Sequence, residues 1–232
     1  AVITGDGSSN IIEVNTGGTL TATGDLAGGN DAVDVSGTLN TGAGVLALGG
    51  GNDTLTLNDG ATIAGGVTGG AGSDTLQANN AATLTLQGSS FAGFERLNKT
   101  LGGLLLLTGN HSYSAGTTIS AGTLQVGNGA TAGALATPTV TNNGSLVFNL
   151  DSEYTFDGVI SGTGNLLKAG TGITTLTGDN SYAGNTGVNA GTLIINGDQS
   201  GATGPTTVGF AGTLGGTGTI GGSVTVLGAL SP

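Results

Sequence analysis

Five aliphatic residues, Ile12, Val33, Leu55, Leu76 and Leu97, follow one another at spacings of 21, 22, 21 and 21. Two positions before each stand Asn10, Asp31, Asp53, Asp74 and Glu95. A unit of about 21 residues is too short for a pair of helices. Its apolar residues lie in short alternating runs such as Thr54-Leu55-Thr56-Leu57 and Thr83-Leu84-Thr85-Leu86, the period of a strand. Such a unit cannot bury its apolar edge alone and must stack on its neighbours. The pattern therefore predicts an all-β chain folded as a parallel β-solenoid, a single-stranded β-helix with about 21–23 residues per coil. Successive rungs stack about 4.8 Å apart, so about eleven coils would make a rod roughly 50 Å long.

Composition agrees with a narrow core. The chain of 232 residues has 50 glycines and 3 prolines, which taken alone approaches the level of a low-complexity chain. Disorder also demands few apolar residues and many charges, and here 36% of residues are hydrophobic and 7% charged. The glycines show no Gly-X-Y period, so a collagen helix is excluded. The longest purely aliphatic run, Leu104 to Leu107, is too short to cross a bilayer as a helix. Three basic residues against 14 acidic ones, a net charge of −11, leave nothing to track a phosphate backbone, so no nucleic-acid partner is expected. Ala1 to Gly7 has neither a basic nor an apolar leader segment, so any signal peptide is expected to have been removed or never present.

The second half repeats on a longer period. Lys99 matches Lys168, and the same offset of 69 relates Thr108-Gly109 to Thr177-Gly178, Ser112-Tyr113 to Ser181-Tyr182, and Ala121-Gly122-Thr123-Leu124 to Ala190-Gly191-Thr192-Leu193. Sixty-nine residues is read as about three coils, with Leu124, Leu146 and Leu166 as rungs, and Leu193 to Leu214 as one coil more. The change of unit divides the chain into residues 1–98, with Asn/Asp-Gly turns, and residues 99–232, continuous with the first.

The stretch from Gly162 through Lys168-Ala-Gly-Thr-Gly-Ile-Thr-Thr-Leu-Thr-Gly-Asp-Asn-Ser-Tyr182 to Leu193 resembles the passenger-associated transport repeat of autotransporters, the type V secreted proteins of Gram-negative bacteria. Two copies are assigned, at residues 97–128 and 162–197; the first has Leu101 where the second has Gly170. Residues 1–96 are similar to the family only in style. The resemblance implies a right-handed parallel β-helix passenger, exported unfolded through an outer-membrane β-barrel that followed Pro232 in the full protein. It places the chain outside the cell or on the bacterial surface. The absence of cysteine fits that route, because premature disulfides in the oxidising periplasm would trap an unfolded chain. Coil-by-coil stacking also lets folding start at one end and propagate.

Four features carry candidate chemistry. Gly69-Gly-Ala-Gly-Ser-Asp-Thr-Leu-Gln77 matches the calcium-binding nonapeptide of repeats-in-toxin proteins, and Gly49 to Leu55 and Gly28 to Val33 match it in part. Calcium needs six to eight oxygens, and here the nonapeptide recurs only once per coil. The preferred reading is a tight turn before each strand; calcium at Asp31, Asp53 and Asp74 is the alternative, since carboxylates stacked about 4.8 Å apart repel. Asp151, Glu153 and Asp157 form the densest acidic cluster, and an extended chain would aim the first two at one face, as in a polysaccharide-active enzyme. The only basic residues are Arg96, Lys99 and Lys168, so a solvated acidic face is the preferred reading. His111, the only histidine, is replaced by Asn180 in the second copy, which argues against a catalytic base. Gly216-Thr-Gly-Thr-Ile-Gly221 spells a dinucleotide fingerprint but leads into Val224-Thr-Val226, a strand pattern, and so is a turn. Tyr113 and Tyr182 are expected to pack at coil edges.

The expected function is a surface-exposed or secreted autotransporter stalk, not an enzyme, engaged in adhesion. Its partners would be a host-cell or matrix surface or neighbouring bacterial cells, and its own C-terminal β-barrel translocator. No cofactor is expected beyond the calcium alternative, which would make the chain the calcium-stabilised solenoid of a toxin-like protein. A polysaccharide-active enzyme or toxin passenger is the third reading. Strand edges at uncapped end coils invite end-to-end association.

Overall fold

Alternation of Leu or Val with Thr or Asn sends every second side chain to one side, and a strand so built pairs with the next copy of itself one coil away. A computed structural model describes residues 1–231 of the chain; Pro232, the last residue of the second expected region, lies outside the described residues. Apart from one turn of 3-10 helix at Gly88–Ser90, the regular structure is β-strand. Parallel strands stack as about 11 coils of ~21 residues, a β-solenoid.

Each coil has three faces. The first is an eight-stranded sheet running from Ile11–Val14 through Ala32–Val35, Thr54–Asn58, Thr75–Asn79, Arg96–Thr100, Gly116–Ile119 and Thr139–Asn142 to Val159–Ser161. Within it Ile12 pairs with Val33, Val33 with Leu55, Leu55 with Leu76 and Leu76 with Leu97, the ladder that the sequence spacing predicts. The strand Arg96–Thr100 pairs on both sides, so pairing runs through residue 98 without interruption. The second face includes Thr19–Thr21, residues 38–40 and 62–64, Leu84–Gln87, residues 104–107, Thr123–Val126, Ser145–Asn149 and Asn165–Ala169. The third includes Val2–Thr4, residues 45–51 and 66–72, and, further along, Ile173–Leu176 and residues 192–195 and 213–215.

The core is a narrow column between these faces. Leu46, Leu55, Leu76, Leu105, Leu124 and Leu146 are fully buried, and each pairs with an aliphatic residue of the next coil. Burying one such leucine is worth roughly 1.5–3 kcal/mol. Aromatic residues are few in the core; the Phe148 and Phe156 rings lie 5.5 Å apart, and Phe94, Tyr113 and Tyr182 are buried elsewhere along the column. Glycines make the coils fit at the corners. At Gly70, φ is +121°, and a Cβ there would stand 2.0 Å from the carbonyl oxygen of Gly49 one coil below.

The longer repeat spans more than three coils. Leu124, Leu146 and Leu166 do stack in one column of the second face, but that column continues to Thr186 and Thr206. Leu193 stands on the third face, between Thr174 and Leu214. Lys99 likewise lies on the first face and its partner Lys168 on the second. The offset of 69 thus carries the motif three coils and one face further. The reason is coil length: Leu97, Thr117, Val140 and Ile160 lie at intervals of 20, 23 and 20, so three coils take only 63 residues. The two copies point the same residues in different directions around the axis.

Candidate functional site

The acidic column is built by main-chain hydrogen bonds between coils. The Asn10 N–H donates to Asp31 Oδ1 at 2.6 Å, Asp31 N–H to Asp53 Oδ1 at 2.7 Å, Asp53 N–H to Asp74 Oδ1 at 2.8 Å, and Asp74 N–H to Glu95 Oε2 at 2.7 Å. Each carboxylate caps the corner of the coil below, the structural duty of a turn aspartate extended across coils. The three aspartates are buried, Asp74 completely. Their second oxygens, Oδ2 of Asp31, Asp53 and Asp74, are buried with no hydrogen-bond partner. Burial pushes the Asp53 and Asp74 carboxyls above the usual carboxylate range; the N–H donated to each opposes this, and the neighbouring carboxylates add to it. Among the described residues no three His, Cys, Asp or Glu side chains gather as a metal-holding group.

The other acidic cluster is dispersed. Asp151, Glu153 and Asp157 are all exposed, with Asp151 and Ser152 on a bend, so the extended geometry that would pair Asp151 with Glu153 is absent. Asp151 accepts from the N–H and hydroxyl of Thr171, and Asp157 from the Thr177 hydroxyl at 2.8 Å. Asp151 lines one shallow depression, with Thr131 and Ser152, and Asp157 lines another, with Tyr154 and Leu135.

His111 is buried and structural. Its Nε2 lies 3.3 Å from the carbonyl of Leu86 and 3.1 Å from that of Thr108, while Nδ1 meets the Tyr113 hydroxyl at 3.2 Å. Burial holds its pKa below the ordinary histidine value, opposed by the carbonyls of Thr108 and Leu86. Asn180, at the same repeat position, is also buried but bonds in the opposite sense, its Oδ1 accepting the Ile160 N–H at 2.6 Å. Tyr113 and Tyr182 are both buried, the second with its hydroxyl on Thr186. Gly216, at φ +120°, turns the chain into the short strand Thr219–Ile220.

Two lysines form sites that the motif analysis does not assign. Lys99 and Lys168 point inward, fully buried. Nζ of Lys168 donates to the carbonyls of Ala169 at 2.6 Å, Gly170 at 2.8 Å and Ala190 at 3.3 Å. Nζ of Lys99 donates to those of Thr100, Leu101 and Asn80. Each ammonium thereby spends its three protons on carbonyls at a coil corner. Burial lowers both pKa values, opposed by Asp59 at Lys99 and Asp151 at Lys168. The signal was in the alternation: Leu97-x-Lys99 and Leu166-x-Lys168 put each lysine on the side of the buried leucine.

Comparison with known proteins fits this geometry. The family described as the passenger-associated transport repeat matches residues 97–126, 166–195 and 190–215. The chain carries passenger-associated transport repeats. It is also 51% identical over 92 residues to "Adhesin BmaC autotransporter" of Brucella suis biovar 1 (strain 1330), a stretch covering 38% of the chain and 3% of that protein. The repeats and the relative are those of autotransporter passengers, a class exported across the outer membrane to the bacterial surface, and the matched stretches of this chain are similar to them. No solved structure matches it significantly. The third repeat, at 190–215, was not assigned from the sequence, although Ala190-Gly-Thr-Leu193 recurs as Ala211-Gly-Thr-Leu214. These two copies pair residue for residue on the third face, one coil apart, whereas the repeat beginning at Leu97 is turned by one face from that beginning at Leu166.

Proposed function

We propose that this segment is a β-helical stalk of an adhesive passenger, without catalytic chemistry of its own, that touches host-cell or matrix surfaces or neighbouring bacterial cells. Its own C-terminal β-barrel would translocate it, and the repeats would support folding in one direction as the chain emerges. Residues 1–98 and 99–232 form the two regions of this one solenoid. The observation that carries the reading is the uninterrupted parallel stacking of one face through eight coils, on a chain similar to a protein named an adhesin. Such a rod displays rows of uncharged polar groups at its corners. Asn30, Asn52, Asn143 and Asn165 each accept an N–H from the coil above and stay at the surface. The test is attachment of bacteria displaying the full-length protein to host-cell layers, with and without this segment. Attachment should fall on its removal; unchanged attachment would remove the adhesive role.

The unpartnered Oδ2 atoms of Asp31, Asp53 and Asp74 favour a second reading, calcium stabilisation of the first region. Hard oxygen donors stacked on three successive rungs suit that ion. Millimolar calcium should raise the melting temperature and chelator should lower it; superimposable melting curves would dispose of the idea.

A further inference from the structure

The second face is split. Residues 62–64 pair with residues 38–40 of the coil below, and Leu84–Gln87 pair with residues 105–108 of the coil above, but the two strands do not pair with each other. At the same step the faces on either side stay closed, with Leu55 on Leu76 and Val67 on Phe91. The opening is therefore confined to one face.

Side-chain hydrogen bonds tie the segment before Leu84–Gln87 to both neighbouring coils. The Ala81 and Ala82 N–H groups both donate to Asp59 Oδ1 at 2.8 Å, and Asn80 Nδ2 donates to the carbonyls of Ala82 at 2.7 Å and Leu104 at 2.8 Å. The Asn80–Leu104 bond ties the start of Leu84–Gln87 to the coil above, while Asp59 holds residues 81–82 to the coil below. At its other end the 3-10 turn Gly88–Ser90 replaces further strand. The result is a groove of about 490 Å³ running from the surface to the core. Its lips are the two facing strand edges, its floor is Leu57, Ile63, Leu86 and Phe91, and Thr62, Thr83, Thr85 and Gln87 stand along the rim.

We infer that this groove accepts one extended strand from a partner protein, which completes the missing rung. An edge with free main-chain groups is a template for pairing, and here two parallel edges face each other across one space. Only a peptide backbone offers donors and acceptors at the strand repeat to both. Three residues of strand, about 10 Å long, occupying about 4.8 Å between neighbours and about 10 Å through their side chains, fill roughly 480 Å³. The floor selects an aliphatic residue at the inward position, and the threonine rim suits small polar residues on either side of it. Backbone pairing supplies affinity and the single inward pocket supplies selectivity, the general logic of strand addition. The inference does not depend on the adhesion reading, since a strand-accepting groove can serve assembly as well as attachment.

The probe is the capped pentapeptide Thr-Leu-Thr-Leu-Asn, the sequence of the chain's own rung Thr54–Asn58, added at millimolar concentration to the 232-residue chain and read by amide hydrogen exchange. Exchange should slow at least tenfold at residues 62–65 and 84–87 and stay unchanged at Ser145–Asn149. A peptide N-methylated at both leucines should have no effect. Unchanged exchange at the lips overturns the inference, and so does protection already present in the free chain, which would mean the lips close on each other. Equal protection by the N-methylated peptide would show recognition without backbone pairing. Protection that rises with chain concentration and no peptide would make the occupant a second copy.

Discussion

Replacing Lys168 by Met tests why a charged residue lies inside a hydrophobic column. The methionine chain has about the same length and fills the same space, so no large cavity opens. What is lost is the donor to three half-buried carbonyls, those of Ala169, Gly170 and Ala190, at 2.6, 2.8 and 3.3 Å. A hydrogen bond involving a charged group contributes about 1.5–3 kcal/mol. Against three of these stands the cost of keeping an ammonium out of water, several kcal/mol. Only one donor is charged and the longest contact is weak, so the balance leaves a net loss of about 2–4 kcal/mol for Lys168→Met. In a solenoid each coil senses only its neighbours, so the loss should be local. Urea denaturation should show a lowered midpoint, and amide exchange should quicken between residues 165 and 195 while Thr54–Asn58 keeps its protection. Lys99→Met should behave alike around its own corner, and the two losses should add, because the lysines share no partner. A Lys168→Met chain as stable as the parent would refute the reasoning: the carbonyls would then be content without the ammonium, and the lysine would be a burden of burial.

Three further outcomes follow from the same geometry. In chelator, Asp53→Asn should raise stability by about 1–2 kcal/mol, because two carboxylates about 4.8 Å apart repel by roughly 3.5 kcal/mol at an effective dielectric near 20, partly offset by a buried amide N–H; a lowered urea midpoint would contradict this. His111 has its pKa lowered by burial from 6.5, so the unfolded chain binds a proton first and stability falls as pH drops below 6.5 towards the folded value. His111→Asn, the residue found at position 180, should reduce that loss between pH 7 and 5 in thermal melts. Gly70→Ala should destabilise by more than about 3 kcal/mol, since a left-handed φ and a 2.0 Å approach to the Gly49 oxygen both oppose the methyl group. Gly102→Ala, where nothing lies within 4 Å of the added carbon, should leave the urea midpoint nearly unchanged.

The ladder from Ile12 to Leu97 was legible because stacking forces like residues to recur at the coil length, and a regular spacing leaves one solution. The position of Leu193 was not, because equivalence in sequence says nothing about angle around the axis once coils vary between 20 and 23 residues. Asp31, Asp53 and Asp74 were legible as turn residues, but not their burial, which depends on the carboxylate of one coil capping the N–H of another. Lys99 and Lys168 were visible as a repeated pair and readable as buried only by following the alternation inward. The split second face goes with Asn80 reaching Leu104 of the next coil while Asp59 holds Ala81 and Ala82 to the coil before, contacts over more than 20 residues that no local pattern announces.

The central claim, an adhesive passenger stalk, is tested most directly by equilibrium binding of the labelled 232-residue chain to host-cell layers and to immobilised matrix glycoproteins. Saturable binding, displaced by excess unlabelled chain, is the predicted result. Binding no greater than that of an unrelated acidic β-solenoid, on cells and glycoproteins alike, would contradict it.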